Sequence, residues 1–272
     1  MIRDITLGQY YQTDSVVHRL DPRVKLMATL VFICSLFVVE QAAGYIIAVL
    51  FLAFAIKMSN VPFQFMVRGM RAILFLLVIT FVFNIFLTPG EAVVSVWKLT
   101  VTREGISMAI KMAVRLSLLI IGSSVMTLTT TPNNLTDGLE KALRPLQKLH
   151  VPVHEIAMMM SIALRFIPIL LEETDKIMKA QMARGASFDE GNLLQKAKSM
   201  VPLLVPLFIS AFRRANDLAM AMEARCYRGG DGRTKMKPLH YEKRDYVTYL
   251  ILAVYFAVCI VVGRVISWGK IL

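Results

Sequence analysis

Two arginines are the residues of this sequence best placed to act on another molecule. The stretch "QMARGASFDEG" sets Arg184 between Ala183 and Gly185, and "MEARCYRGGDGRT", forty-one residues on, sets Arg225 between Ala224 and Cys226. Each closes a long apolar run and is followed by polar or acidic residues. A guanidinium offers five donors in a planar fork, so on a rigid helix tip it suits an acidic pocket in another protein. A plainer role is also available, because cations favour helix carboxyl ends and glycine commonly follows the last turn. Two such tips on two long helices favour the docking role. The second departs from the first in placing Cys226 where glycine stands at Gly185.

Few other residues invite chemistry. There is no G-x-x-x-x-G-K-[ST] to cradle phosphate, and Gly185 and Gly191 have neither its spacing nor its lysine. Neither G-x-S-x-G nor H-E-x-x-H occurs. His150 and His154 are four apart, but Pro152 between them argues against a shared helical face and so against a metal site. Cys34, Cys226 and Cys259 lie far apart and read as neither a disulfide framework nor a metal set. The expectation is a chain that binds no cofactor or metal and is not itself an enzyme.

The elements that carry the arginines follow from composition. The chain has 272 residues, is 56% hydrophobic and only 18% charged, with mean hydropathy +0.59. That is too apolar for an ordinary soluble domain. Residues 246–263 contain no charge, and residues 72–89 form a second such run behind Arg68 and Arg71. Residues 26–39 and 42–56 read as a hairpin of two spans, broken only by Glu40 and Gln41, with Lys25 and Lys57 at the outer ends. Residues 106–128 make a fifth candidate despite Lys111 and Arg115. No signal peptide is expected, since polar residues follow Arg3 and Asp4 and no apolar core begins before Leu26.

The net charge of +12 is informative by position. Arg3, Arg19, Arg23 and Lys25 precede the first span, and Lys57, Arg68 and Arg71 follow the second. The loop over residues 90–105 has only Lys98 and Arg103. The positive-inside rule therefore puts the amino terminus in the cytoplasm and the carboxyl terminus outside. Residues 129–245 then fall on the cytoplasmic side. A crossing by residues 200–212 would reverse the carboxyl terminus.

Within that interval Thr131 and Pro132 predict a helix start, with Leu135, Leu139, Ala142, Leu143 and Leu146 on one face. A long helix over residues 155–184 is expected to be apolar first and polar from Glu172, bent at Pro168. A third, from Met200 to Arg225, repeats that plan with Pro202 and Pro206. The fold class expected is an all-α polytopic membrane protein with about five transmembrane helices and long coupling helices on the cytoplasmic side. Its parts are residues 1–131 (amino-terminal segment and four spans), 132–245 (coupling region) and 246–272 (last span).

A stand-alone secondary transporter or channel is the main rival reading. Proton- or sodium-coupled carriers usually keep a carboxylate inside the membrane. The spans 26–39, 42–56, 72–88 and 246–263 hold no Asp, Glu, His, Lys or Arg. Asn84 is the notable polar group there and reads as a helix–helix hydrogen bond. Nucleic-acid binding is not expected, because the basic residues alternate with acidic ones and aromatics are sparse.

The ordered motifs resemble the transmembrane (T) component of energy-coupling factor transporters, importers of the ATP-binding cassette class. "LDPRVKL" from Leu20 looks like the amino-terminal signature of that family, and "TTTP" from Thr129 stands at the end of the membrane block. "ALRFIPILLEE" from Ala163 looks like the start of the first coupling helix, and the two Ala-Arg ends match the paired Ala-Arg-Gly motifs. The resemblance implies a scaffold in the plasma membrane of a prokaryote, serving import of a vitamin or metal. Two cassette ATPase subunits, which bind the ATP, would be gripped near Ala183, Arg184 and Gly185 and near Ala224, Arg225 and Cys226. A substrate-binding membrane S component would meet the methionine-rich surface of Met158, Met159, Met160 and Met200.

Overall fold

A computed structural model describes residues 10–39, 41–90, 92–96, 99–186, 188, 192–230, 236 and 238–268. Arg3, Glu40, Lys98 and residues 189–191 and 231–235, which entered the sequence reading, lie outside the described residues. The described residues divide into two compact units, one within residues 140–238 and the other within residues 10–139 and 239–268.

The second unit is a helical bundle. α1 spans Pro22–Val38, α2 Ala42–Ser59, α3 Phe63–Leu87 and α4 Arg103–Thr129. An antiparallel hairpin, β1 (Ala92–Val96) and β2 (Leu99–Thr102), joins α3 to α4. Sequence reasoning expects a loop over this stretch. Its run of Val93, Val94, Val96, Thr100, Val101 and Thr102 is the strand signal it overlooked. Asp21 caps α1 by accepting from the Arg23 amide, and Pro22 takes the first turn, where its missing N–H costs nothing. Thr102 caps α4 through Oγ1 on the Gly105 amide. α5 spans Pro132–Ala142 at the junction of the units, and α8 spans Lys243–Trp268.

Residues from α1, α2, α4 and α8 share one core. Phe51 stacks on Tyr255 at 4.2 Å between ring centres, with Phe32 beside both. Gly122 of α4 lets Phe32 approach, for a Cβ there would stand 2.5 Å from the ring. Lipid is as apolar as these side chains, so close packing and interhelical hydrogen bonds hold such helices together. Ser35 and Tyr255 share a 2.7 Å bond. Arg115, one of two cations inside a predicted span, donates to Tyr45 Oη at 3.0 Å and to the Val39 carbonyl at 3.3 Å. Asn84 instead bonds within its own helix, donating to the Thr80 carbonyl, so the expected helix–helix bond is corrected to a local one.

Much of the outer surface stays apolar: Leu50, Phe75, Leu87 and Leu250 are each largely exposed. Such a surface belongs in a bilayer. Among the described residues, Ala42–Ser59, Arg103–Thr129, Val153–Ala183 and Lys243–Gly263 are long and apolar enough to cross one, and Ile73–Leu87 is a shorter apolar helix.

The other unit carries a 3₁₀ segment (Arg144–Leu149) and two long helices, α6 (Val153–Ala183) and α7 (Leu193–Ala224). α5 stops at Ala142 because Pro145 lacks an N–H and disfavours helical backbone in the residue before it. Leu143 and Leu146, expected to continue the face of Leu135 and Leu139, therefore lie beyond that helix. α5 buries Thr136 and Gly138 instead, with Gly138 against Pro22. α7 begins seven residues before the expected Met200. Asn192 and Gln195 form a capping box there, a signal readable in "NLLQ".

Candidate functional site

The two Ala-Arg tips fold into the same cap. Arg184 (φ −90°, ψ 7°) and Arg225 (φ −94°, ψ 13°) each occupy the C-cap position. After Arg184, Gly185 turns left-handed at φ 87°; its amide donates to the Met182 carbonyl, and the Ala186 amide to that of Gln181. After Arg225, Cys226 turns left-handed at φ 55°; its amide donates to the Glu223 carbonyl, and the Tyr227 amide to that of Met222. Both are Schellman caps with crossed 6→1 and 5→2 bonds. The hydrogen bonds need only a left-handed backbone, so cysteine reproduces the glycine geometry at a steric cost.

Ala183, Arg184, Gly185, Ala224, Arg225 and Cys226 are all exposed. Among the described residues neither guanidinium has an ion-pair or hydrogen-bond partner. A guanidinium exposed at a helix tip can pair bidentately with a carboxylate.

α6 and α7 run antiparallel. Gln181 Nε2 donates to the Pro202 carbonyl at 3.4 Å, Arg214 pairs with Glu173 at 2.9 Å, and the Ser210 hydroxyl also bonds Glu173. Arg184 therefore stands beside the first turns of α7. Arg225 lies up to about 35 Å further along that helix at 1.5 Å rise per residue. Pro168, Pro202 and Pro206 all lie inside the helices, as expected from sequence. The strap after the second tip returns onto α6, where a Cβ at Gly230 would overlap the His154 ring. His154 Nδ1 in turn bonds Glu140 at 2.9 Å.

The same antiparallel pairing separates the methionines. Met200 sits at the Gln181 end, whereas Met158, Met159 and Met160 lie in the first turns of α6, at the other end. Sequence reasoning missed a different surface. Leu170 of α6 and Leu204, Val205, Leu207, Phe208 and Ile209 of α7 line an open apolar groove of about 470 Å³. Periodicity alone would have shown that α7 is apolar over this turn, but not which face its partner leaves uncovered.

It missed, too, what "LDPRVK" does. The Asp21 amide donates to Asp245 Oδ1 at 3.0 Å, and the Glu242 amide to Asp245 Oδ2 at 2.8 Å. Arg23 pairs with Asp21 and lies 3.9 Å over the Tyr241 ring. Lys25 Nζ donates to the His18 and Thr129 carbonyls at 3.0 and 2.8 Å. The motif therefore clamps the starts of α1 and α8 and the end of α4 at one end of the bundle. Beside it, His18 bonds the Tyr11 carbonyl and Ser15, and burial pushes its pKa below the ordinary value.

These features define a polytopic helical membrane protein with two arginine-tipped helices and, among the described residues, no group of side chains that could hold a metal. Residues 13–236 match the CbiQ family, described as cobalt transport protein. An energy-coupling factor transporter transmembrane protein, EcfT, of Clostridium kluyveri is 57% identical over 99% of this chain and 100% of its own length. The EcfT protein of Ruminiclostridium cellulolyticum is 52% identical over 94% of this chain and 96% of its own. That of Lactococcus lactis is 41% identical over 99% and 100%. The chain belongs to this family of membrane transport proteins, the transmembrane components of energy-coupling factor transporters. It is thus a transporter component and not an independent carrier.

Proposed function

We propose that this chain couples two cassette ATPase subunits to a substrate-binding membrane S component, with Arg184 and Arg225 each entering an acidic pocket on one ATPase. The supporting observation is the repetition of one backbone cap at two helix ends, each with an exposed arginine lacking a partner among the described residues. Because α6 and α7 are antiparallel, the tips lie apart and address two subunits separately. ATP binds to those subunits and not to this chain. Closure of the ATPase pair moves one tip relative to the other, and the bond set at Glu173 passes that motion between the helices. The S component rests on the apolar groove at Leu204 and Phe208, with Met158, Met159, Met160 and Met200 as further contacts that can repack. The cargo is a vitamin or metal captured by that partner.

Detergent pull-down tests the reading with the cassette ATPases co-expressed. Loss of a charge-assisted bidentate pair costs about 1.5–3 kcal/mol, so Arg184→Ala or Arg225→Ala should weaken ATPase retention about 10- to 100-fold. The double variant should abolish it while the chain stays folded. Equal retention by wild type and double variant would reduce the arginines to helix caps.

A further inference from the structure

At the clamped end of the bundle, the segment before α1, the last turn of α2 and the first turn of α8 line an open cavity of about 450 Å³. Three of its lining residues are cations from three different elements: Arg19, Lys57 and Arg244. One lining residue is acidic, Asp14, which lies 3.6 Å from Arg19. Both members of that pair are mostly exposed, and such pairs are weak. Arg244 spends one arm on Glu242 at 2.8 Å, yet its Nε is buried with no hydrogen-bond partner. Lys57 has no ion pair among the described residues. The cavity thus keeps an excess of cationic donors, and the amino end of α8 adds to its positive potential.

Its other side is apolar. Met58 lines it, and Phe54, Leu50 and Ile46 follow at four-residue intervals along α2. They are 53%, 65% and 61% exposed, so an open apolar track runs from the cavity along the helix. The end of the bundle that holds the cavity carries the cations of the amino-terminal segment, which marks it as cytoplasmic. A cationic cavity continuous with a lipid-facing track fits a molecule with a phosphate head and a hydrocarbon tail.

We propose that this cavity binds the phosphate headgroup of an anionic phospholipid of the cytoplasmic leaflet, with an acyl chain laid along Met58, Phe54, Leu50 and Ile46 of α2. The site does not depend on the ATPase reading. Native mass spectrometry of the purified full chain, titrated with phosphatidylglycerol or phosphatidylcholine, tests it. Phosphatidylglycerol should be retained and phosphatidylcholine released. Lys57→Gln should lower phosphatidylglycerol retention about fivefold, the worth of one cation near an anionic lipid. Arg244→Gln should lower it further, and if that variant unfolds, Lys57→Gln decides alone. Excess inorganic phosphate should not displace the lipid. Equal retention of both lipids, unchanged retention by Lys57→Gln, or displacement by inorganic phosphate would each overturn the proposal, the last in favour of a soluble anion.

Discussion

Arg184 and Arg225 occupy the same position of the same helix cap, although glycine follows the first and cysteine the second. A side chain in left-handed backbone costs roughly 1–2 kcal/mol, part of which glycine gives back through its freer unfolded chain. Cys226→Gly should therefore strengthen the α7 cap by up to about 1 kcal/mol, and Gly185→Ala should weaken the α6 cap by about as much. Amide hydrogen exchange at Cys226 and Gly185 reads both, through the bonds to Glu223 and Met182. Faster exchange in Cys226→Gly would contradict the cap assignment.

Asp245 is buried and accepts from two backbone amides, those of Asp21 and Glu242. Asp245→Ala leaves both donors without an acceptor, at about 1–3 kcal/mol each. Thermal unfolding in detergent should show a large loss of stability. Asp245→Asn keeps one acceptor oxygen and should lose about half as much. Wild-type unfolding of the alanine variant would deny the clamp its role in joining α1 to α8.

Gly122→Ala places a methyl group 2.5 Å from the Phe32 ring. The ring is boxed in by Phe51 and Tyr255, so α4 must shift outward, at about 1–3 kcal/mol. Phe32→Leu should recover part of that loss by making room. Equal melting of the single and double variants would show that the ring is free to turn aside.

His18 lies in the segment before α1. Burial pushes its pKa below 6.5, so the folded chain prefers the neutral ring. With Nε2 donating to the Tyr11 carbonyl, neutral Nδ1 accepts from the Ser15 hydroxyl. The unfolded chain binds this proton more readily, so stability rises with pH here. The contribution is complete above pH 6.5 and is lost as pH falls from there through the lower folded value. Unfolding followed from pH 8 to pH 5 should show this loss in wild type and a shallower one in His18→Gln. Parallel pH profiles for the two would place the sensitivity in other groups.

The amino-acid sequence by itself determined the apolar spans within α2, α4 and α8, the start of α5 at Thr131-Pro132, and the two Ala-Arg helix ends. It did so because hydrophobic period, proline and capping act within about four residues along the chain. The start of α7 at Asn192 and the break before Pro145 were equally local and went unread. Only the tertiary structure decided what meets across the chain. It brought Asp21 to Asp245, 224 residues away, and Arg115 to Tyr45. It also set Glu173 against Arg214, parted Met200 from Met158, and left the Leu204–Phe208 face of α7 open. Those meetings depend on which helix faces pack together, and packing is set by shape complementarity between distant segments, which no local pattern encodes.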